Sequence, residues 1–354
     1  MNLTREWNER GVPDVGQTWH GQSLGRHRIR RSPCAPPNKS LRRALIQSPA
    51  IGIDVGGTKT ALALVDCESG VVVRALAIAT EAHESATSLR LRLAAPVAEL
   101  RAEADSDDVP LGICVPEIVD PSGEITTDGV IPGLSGDLRA RWSDLGISCV
   151  NSDVRSAAIA EATYGAGTDA ASLLYVSVGT GLSHTLVVRG RAWPGANGAA
   201  LVSGSGQLVR QSELPHLTSD VPLESVASGP GLVAWYVALG GTATKGEEVL
   251  RLAGSDPRAR VAAEGVGEVL GKRIGDLVNI LDPHMVVLGG GLGAATGPHR
   301  DRLEVVTRAT IWSDQAAAVV IRGAALGPYS AVIGAAALAR AQVWGDMSAF
   351  AESG

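Results

Sequence analysis

Phenylalanine occurs once in this 354-residue chain and tyrosine four times. With so few rings, the core must be built from Ala, Val, Leu and Ile, within an apolar fraction of 45%. Lysine is scarce as well: four lysines stand against 27 arginines, a bias read as genomic GC content before it is read as function. The four cysteines, Cys34, Cys67, Cys114 and Cys149, form no C-x-C or C-x-x-C pair. That spacing supports neither a zinc site nor a disulfide framework, and reduced thiols in the cytoplasm are expected. No apolar run reaches the ~18 residues that a membrane helix needs. The first ten residues, MNLTREWNER, lack an apolar h-region, so no signal peptide is expected. A net charge of −6 gives no support to nucleic-acid binding by the body of the chain.

The charge is uneven. Residues 1–49 hold nine Lys/Arg against three Asp/Glu, whereas the remainder carries −12. That leading segment is rich in Arg, Pro, Gly and polar residues, and is expected to be a disordered basic tail; an upstream start codon is an alternative source for it. From residue 51 the pattern is a meander of strands at 51–55, 60–66 and 71–77. A helix at 85–104 follows, with Leu89, Leu91, Leu93, Val97 and Leu100 as its apolar face. Further strands are expected at 111–115 and 148–151, with a helix at 154–164. A second hairpin spans 173–178 and 184–189. A long helix covers 259–281, with Val261, Val266, Val269, Leu270, Ile274, Leu277, Val278 and Leu281 as its apolar positions, and Asp282-Pro283 ends it. A strand at 285–288 runs into three glycines, and 330–343 reads as an Ala-rich helix.

The most informative stretch is IGIDVGGTKTALALVD, residues 51–66. It is an apolar strand, a turn carrying Asp54, Gly56, Gly57, Thr58 and Lys59, and a second apolar strand. It is not the P-loop: Gly52 and Gly57 have that motif's separation, but Thr58 stands where its lysine must be, and a strand follows where a helix should start. Paired glycines let the backbone approach a ligand closely, and successive amide N–H groups make a concave anion site. Asp54 can hold a hydrated magnesium ion, since Mg²⁺ keeps several waters and uses one or two carboxylates. The same letters also suit a plain hairpin turn. The second hairpin, with Gly179, Thr180 and Gly181 at its tip, repeats the layout about 120 residues later. Two such units suggest a duplicated fold with one phosphate-contacting loop per half, and a nucleotide lying between them.

With DVGGTKT, NSDVRSAAIAEA, SVGTGL, LESVASGPG and DPHMVVLGGGL in this order, residues 50–345 resemble the ROK family of repressors, open reading frames and sugar kinases. The resemblance implies an α/β, actin-like ATPase (ribonuclease H-like) fold of two duplicated domains around a central nucleotide and sugar cleft. Residues 50–150 would form the first domain and 151–329 a larger second one, with the 330–343 helix packing back on the first. It implies ATP- and Mg²⁺-dependent phosphorylation of a hexose, usually at its 6-hydroxyl, by a homodimer; the cysteine pattern, the charge and the apolar runs give the expectations of a cytoplasmic protein with neither nucleic-acid nor membrane partners. Asp54, Gly56, Gly57, Thr58 and Lys59 match the first phosphate loop, Gly179, Thr180 and Gly181 the second, and Gly289, Gly290 and Gly291 the adenosine loop. Asp153 matches the catalytic aspartate and Glu224 a sugar-contacting glutamate. Phosphoryl transfer needs a carboxylate to take the acceptor's proton, and Asp153, after a strand and before a helix, is placed for it; Asp also favours capping such a helix.

Three departures alter the sugar side. The asparagine paired with the catalytic Asp is Ser152 here. The Glu-x-Gly-His after the second loop reads Val202-Ser203-Gly204-Ser205. The cysteine cluster is missing, so no structural zinc is expected, and His216 is the lone histidine of that segment. Glu117 follows Pro116 where the family has glycine and, facing the cleft, would suit a substrate amine. Asn197 in the GANGAA turn is a further candidate sugar contact. The lost asparagine and added glutamate point to an amino sugar such as kanosamine, 3-amino-3-deoxyglucose, which zinc-free members phosphorylate in actinomycete antibiotic pathways. Glucose, glucosamine and N-acetylmannosamine are the alternatives. A sugar-responsive regulator without catalysis, a repressor and a dinucleotide enzyme are the competing classes. The last rests on LGGGLGAA after a strand, without the acidic residue that a ribose contact needs.

Overall fold

The computed structural model describes residues 48–81, 85–104, 106, 108–200, 203–211 and 219–344, all within one compact unit. Of the expected tail at 1–49, residues 1–47 lie outside them, as does His216, while Pro49 already belongs to the first strand. Among the described residues the framework is two five-stranded sheets. In the first, β1 (Pro49–Val55), β2 (Lys59–Asp66) and β3 (Val71–Ala79) form the antiparallel meander, and β4 (Leu111–Val115) and β5 (Ile147–Ser152) extend it in parallel on the other side of β1. The order is β3-β2-β1-β4-β5. In the second, β6 (Ser172–Val178), β7 (Leu182–Val188) and β8 (Arg191–Ala192) repeat the meander, with β9 (Met285–Gly289) and β10 (Val320–Gly323) in parallel beyond β6. Its order, β8-β7-β6-β9-β10, is that of the first sheet. The repeated hairpin read from the sequence is therefore one part of a repeated topology.

Period-two alternation divides the first sheet between two layers. Ile51, Ile53 and Val55 pack with Leu89, Leu93, Val97 and Leu100 of α1 (Ala86–Ala104). Leu91, expected on that face, is 65% exposed, because it lies two residues out of step with the 89/93/97/100 stripe. The opposite face carries small residues. A Cβ on Gly52 or Gly112 would stand 1.9 Å from Val332 O or 2.0 Å from Ala335 O. The absence of side chains there lets α8 (Ser330–Trp344) lie directly on β1 and β4.

On the second sheet the matching position is taken by α2 (Asp153–Tyr164), through Ala157 and Ala158 against Leu173, Tyr175 and Val287. Helices α2 and α8 thus meet in the middle, and a Cβ on Gly334 would come 1.8 Å from Ser156 O. Glu161 fixes this crossing. It is fully buried and accepts hydrogen bonds from Ala166 N, Ala325 N, Leu326 N and Ser330 Oγ, each at 2.9 Å. The outer layer of the second half comprises α3 (Gly229–Ala238), α4 (Gly246–Leu252), α5 (Pro257–Leu281), α6 (Gly290–Ala294) and α7 (Pro298–Thr310). Asp256 caps α5 through Arg258 N, and Asp282 ends it in the left-handed region at φ 43°. Val261, expected inside, is 52% exposed.

Candidate active site

Three parallel strands end side by side. Asp54 on β1 pairs with Cys114 on β4, which pairs with Asn151 on β5. At about 4.8 Å per strand spacing, the ends of β1 and β5 are roughly 10 Å apart, and the chain turns into α2 there with Asp153 as its first residue. The cap is Ser152 rather than Asp153: Ser152 Oγ accepts from Arg155 N at 3.4 Å, while Asp153 Oδ1 accepts from the adjacent Val154 N at 2.6 Å. Capping by Ser152 leaves the Asp153 carboxyl free of that duty. Burial, then the negative charge of Asp54, push the Asp153 carboxyl up to about 7. Burial also raises Asp54, opposed by a hydrogen bond from Cys114 Sγ at 3.5 Å and by the charge of Lys59. A carboxyl whose charge is opposed by burial and by a second carboxyl marks a place where a cation or a proton is wanted.

Ser152, expected to face a sugar, is 8% exposed. Its hydroxyl also accepts from Arg155 Nε at 3.1 Å, and Arg155 Nη2 donates to Val119 O at 2.5 Å. The sequence reading had passed over Arg155; its signal was an arginine in the first turn of a helix that opens at a strand end. Glu117 differs from expectation more sharply. It is 7% exposed; Oε2 accepts from Thr127 Oγ1 at 2.5 Å, and Oε1 accepts from Val130 N at 2.6 Å and Ile131 N at 3.3 Å. Its carboxylate holds a loop of its own chain, so it does not stand as the free anion expected for a substrate amine. Asn197 is exposed. The neighbouring Gly198, at φ 74°, brings this turn against the segment after β4: a Cβ there would lie 2.0 Å from Val119 O.

The glycine turns fall at equivalent corners of the two sheets. In the first, Gly56 N donates to Lys59 O, Thr80 N donates to Thr58 O, and Gly57, Thr58 and Lys59 are exposed. In the second, Gly179 N donates to Gly181 O. Glu224 lies against Gly181, and its Oε2 accepts from Leu182 N at 2.7 Å. Gly289 ends β9 and Gly290 takes φ 74°; a Cβ there would meet Val178 O at 2.4 Å. This turn puts Gly291 beside Gly179. Gly179, Thr180 and Gly291 share a cavity of about 680 Å³ with Val233, Val237 and Lys245. The last three come from α3 and the residue before α4. Their signal was an apolar i, i+4 pair after the capped SGPG turn, and sequence reading had not attached it to the site.

Among the described residues no three His, Cys, Asp or Glu side chains gather as a metal cage. The donor set fits Mg²⁺ held mainly by phosphates and water, with Asp54 as the nearby carboxylate. No helix of the described residues is long and apolar enough to cross a membrane.

Comparison with known proteins agrees with this geometry. The model of the ROK family matches residues 50–342. The N-acetyl-D-glucosamine kinase of Pectobacterium carotovorum subsp. carotovorum (strain PC1) is 28% identical over 262 residues, covering 68% of this chain and 83% of that protein. The kanosamine kinase of Amycolatopsis mediterranei (strain S699) is 26% identical over 303 residues, covering 82% and 95%. Among solved structures, a ROK family glucokinase from Streptomyces griseus in complex with glucose and AMPPNP superposes with a TM-score of 0.68 at 25% identity, over 82% of this chain and 99% of the other.

Proposed function

The chain belongs to the ROK family, and on that premise we propose that it is a sugar kinase that moves the γ-phosphate of ATP to the 6-hydroxyl of a hexose or amino-hexose. The observation that carries the reading is the Asp153 carboxyl, half-buried at a strand end and lifted to about 7 by burial and by Asp54. A general base is most useful when its pKa lies near the working pH. Asp153 takes the proton of the sugar hydroxyl as its oxygen attacks the γ-phosphorus, and the bond to the β,γ-bridging oxygen breaks to release ADP. The first loop, with Thr58 and Lys59, and the second, with Thr180, offer donors to the phosphates. Gly291, Val233 and Val237 line the adenosine side. Asp54 would hold Mg²⁺ through water, and the ion, when bound, neutralises phosphate charge.

Glu224 and Asn197 remain the proposed sugar-side groups. With Glu117 and Ser152 engaged internally, an amino-sugar preference rests on the likeness to kanosamine kinase, which covers more of this chain than the N-acetyl-D-glucosamine kinase does. The division near residue 150 into two closing lobes, and a homodimer, belong to the same proposal. The test is ADP release by purified protein against neutral and amino hexoses. Turnover that depends on one of them supports the reading; no sugar-dependent turnover, with AMPPNP bound, rejects it.

A further inference from the structure

The geometry points to Glu117 as a positioning residue that sets the first phosphate loop through a strap of its own chain, an inference that rests on the kinase reading. The strap is residues 126–132, which return past the segment after β4. It is cross-tied to that segment: Thr126 N donates to Ile118 O at 2.8 Å, and Ile118 N donates to Thr127 Oγ1 at 3.0 Å. Its far end reaches α1, where Ala86 N donates to Pro132 O. Glu117 supplies the middle tie, its two oxygens taking Thr127 Oγ1, Val130 N and Ile131 N. A nearly buried carboxylate with three donors on it fixes backbone positions closely, because each donor left unmade would carry its own desolvation cost.

Val130 of the strap is 48% exposed. A Cβ added to Gly57 would come within 3.3 Å of Val130 Cγ1, so the valine lies directly against the glycine turn read as the first phosphate loop. The chain of contact therefore runs from Glu117 through Val130 N and its side chain to Gly57, beside Thr58 and Lys59. Glu117 never touches nucleotide or sugar in this scheme; it determines where the phosphate-binding amides stand.

Removal of the charge and removal of the tie have different consequences. In Glu117→Gln the amide oxygen can still accept from Val130 N and Ile131 N, and the amide N–H can donate to Thr127 Oγ1, so the strap survives. In Glu117→Ala all three ties go. Wild type, Glu117→Ala, Glu117→Gln, Val130→Ala and the double variant Glu117→Ala/Val130→Ala are titrated with AMPPNP and assayed for ADP release with neutral and amino hexoses. The expected result is a loss of about 10–100-fold in kcat/KM for Glu117→Ala, the scale set by small misplacements of reacting groups, with weakened AMPPNP binding. Val130→Ala should lose part of the same affinity, the double variant should be no worse than Glu117→Ala, and Glu117→Gln should recover most of the loss with an unaltered ratio of amino to neutral sugar. A fall in that ratio for Glu117→Gln would make Glu117 a substrate contact and overturn the inference. So would unchanged AMPPNP affinity in Val130→Ala, or singles that multiply in the double variant. Should Glu117→Ala fail to fold, Val130→Ala and Glu117→Gln still decide. Wild type that binds AMPPNP but turns over no sugar would reject the kinase reading, and the AMPPNP affinities would still judge Glu117.

Discussion

Replacement of Asp153 by Asn removes the proposed base while keeping its shape, and two independent measurements follow from its surroundings. The carboxyl is raised from an ordinary 3.8 to about 7, first by burial and then by Asp54. In the free enzyme a base of pKa about 7 is roughly one-tenth ionised at pH 6 and nine-tenths at pH 8, so kcat/KM for the sugar should climb about tenfold between those values and then level off. Asp153→Asn should lower kcat by ~10²–10⁴ and abolish the slope. The stability effect has the opposite sign. Because the folded pKa lies above the unfolded one, the native state holds the proton more tightly. The associated stability is fully present below about pH 4 and is lost as pH rises through about 7. At 1.36 kcal/mol per unit the ceiling is about 4 kcal/mol, reduced by the water that reaches a half-buried group. Urea unfolding should therefore find Asp153→Asn as stable as wild type or more so at pH 8, with the advantage gone at pH 4. A variant that retains sugar-dependent ADP release, or a wild-type profile flat between pH 6 and 8, would refute the assignment. A variant that is inactive but also less stable at pH 8 would show that the carboxylate has favourable partners and that its environment has been misread.

Glu161→Ala strands three backbone N–H groups at the α2–α8 crossing and leaves the Ser330 hydroxyl with Gly327 O alone, and should cost about 3 kcal/mol or more in urea unfolding. Two adjacent glycines should separate folding from binding. Gly290→Ala puts a Cβ 2.4 Å from Val178 O at φ 74° and should destabilise by about 1–3 kcal/mol. Gly291→Ala enters open space at the cavity wall, so its unfolding midpoint should match wild type while AMPPNP affinity falls; equal stability losses in the two variants would contradict the geometry. Gly334→Ala drives a methyl into Ser156 O. It should lower thermal stability and, because Ser156 shares a helix with Asp153, lower kcat more than it raises KM for ATP.

The hairpins were legible because each is a single run of residues: apolar strand, glycine tip, apolar strand. The end of α5 at Asp282-Pro283 was legible for the same reason, being local backbone chemistry. What escaped was everything that depends on which strand face meets which helix. Nothing in the local sequence around Gly52 and Gly112 announces that α8 lies on them. Leu91 and Val261 read as core because apolar letters were counted without the angle at which each helix meets its layer. The partners of Glu117 lie ten to fourteen residues onward, in a segment with no regular period. A carboxylate expected to face the cleft is instead engaged by backbone and hydroxyl donors that no local pattern announces.

That engagement has a physical cause. A substitution for glycine at residue 117 adds a side chain in a place where three backbone and hydroxyl donors are within reach, and an ionised carboxylate binds such donors more strongly than a neutral acceptor would. Asp153 avoids the same fate because Ser152 takes the capping duty and Val154 N engages only one of its oxygens. Besides Val154 N, the groups that act on the Asp153 carboxyl are its own backbone N–H and the charges of Asp54 and Arg155. Of the two acids, then, the proposal gives the substrate to the one whose local donors are already served by another residue. By that criterion Glu224, with Oε2 held by Leu182 N and Oε1 without a bond among those described, stands between them: it can steady the second loop with one oxygen while offering the other to a sugar hydroxyl. Glu224→Gln should accordingly raise the KM for sugar about tenfold, the worth of one hydrogen bond to a charged group, with AMPPNP affinity retained. A change confined to AMPPNP would place Glu224 wholly with the loop.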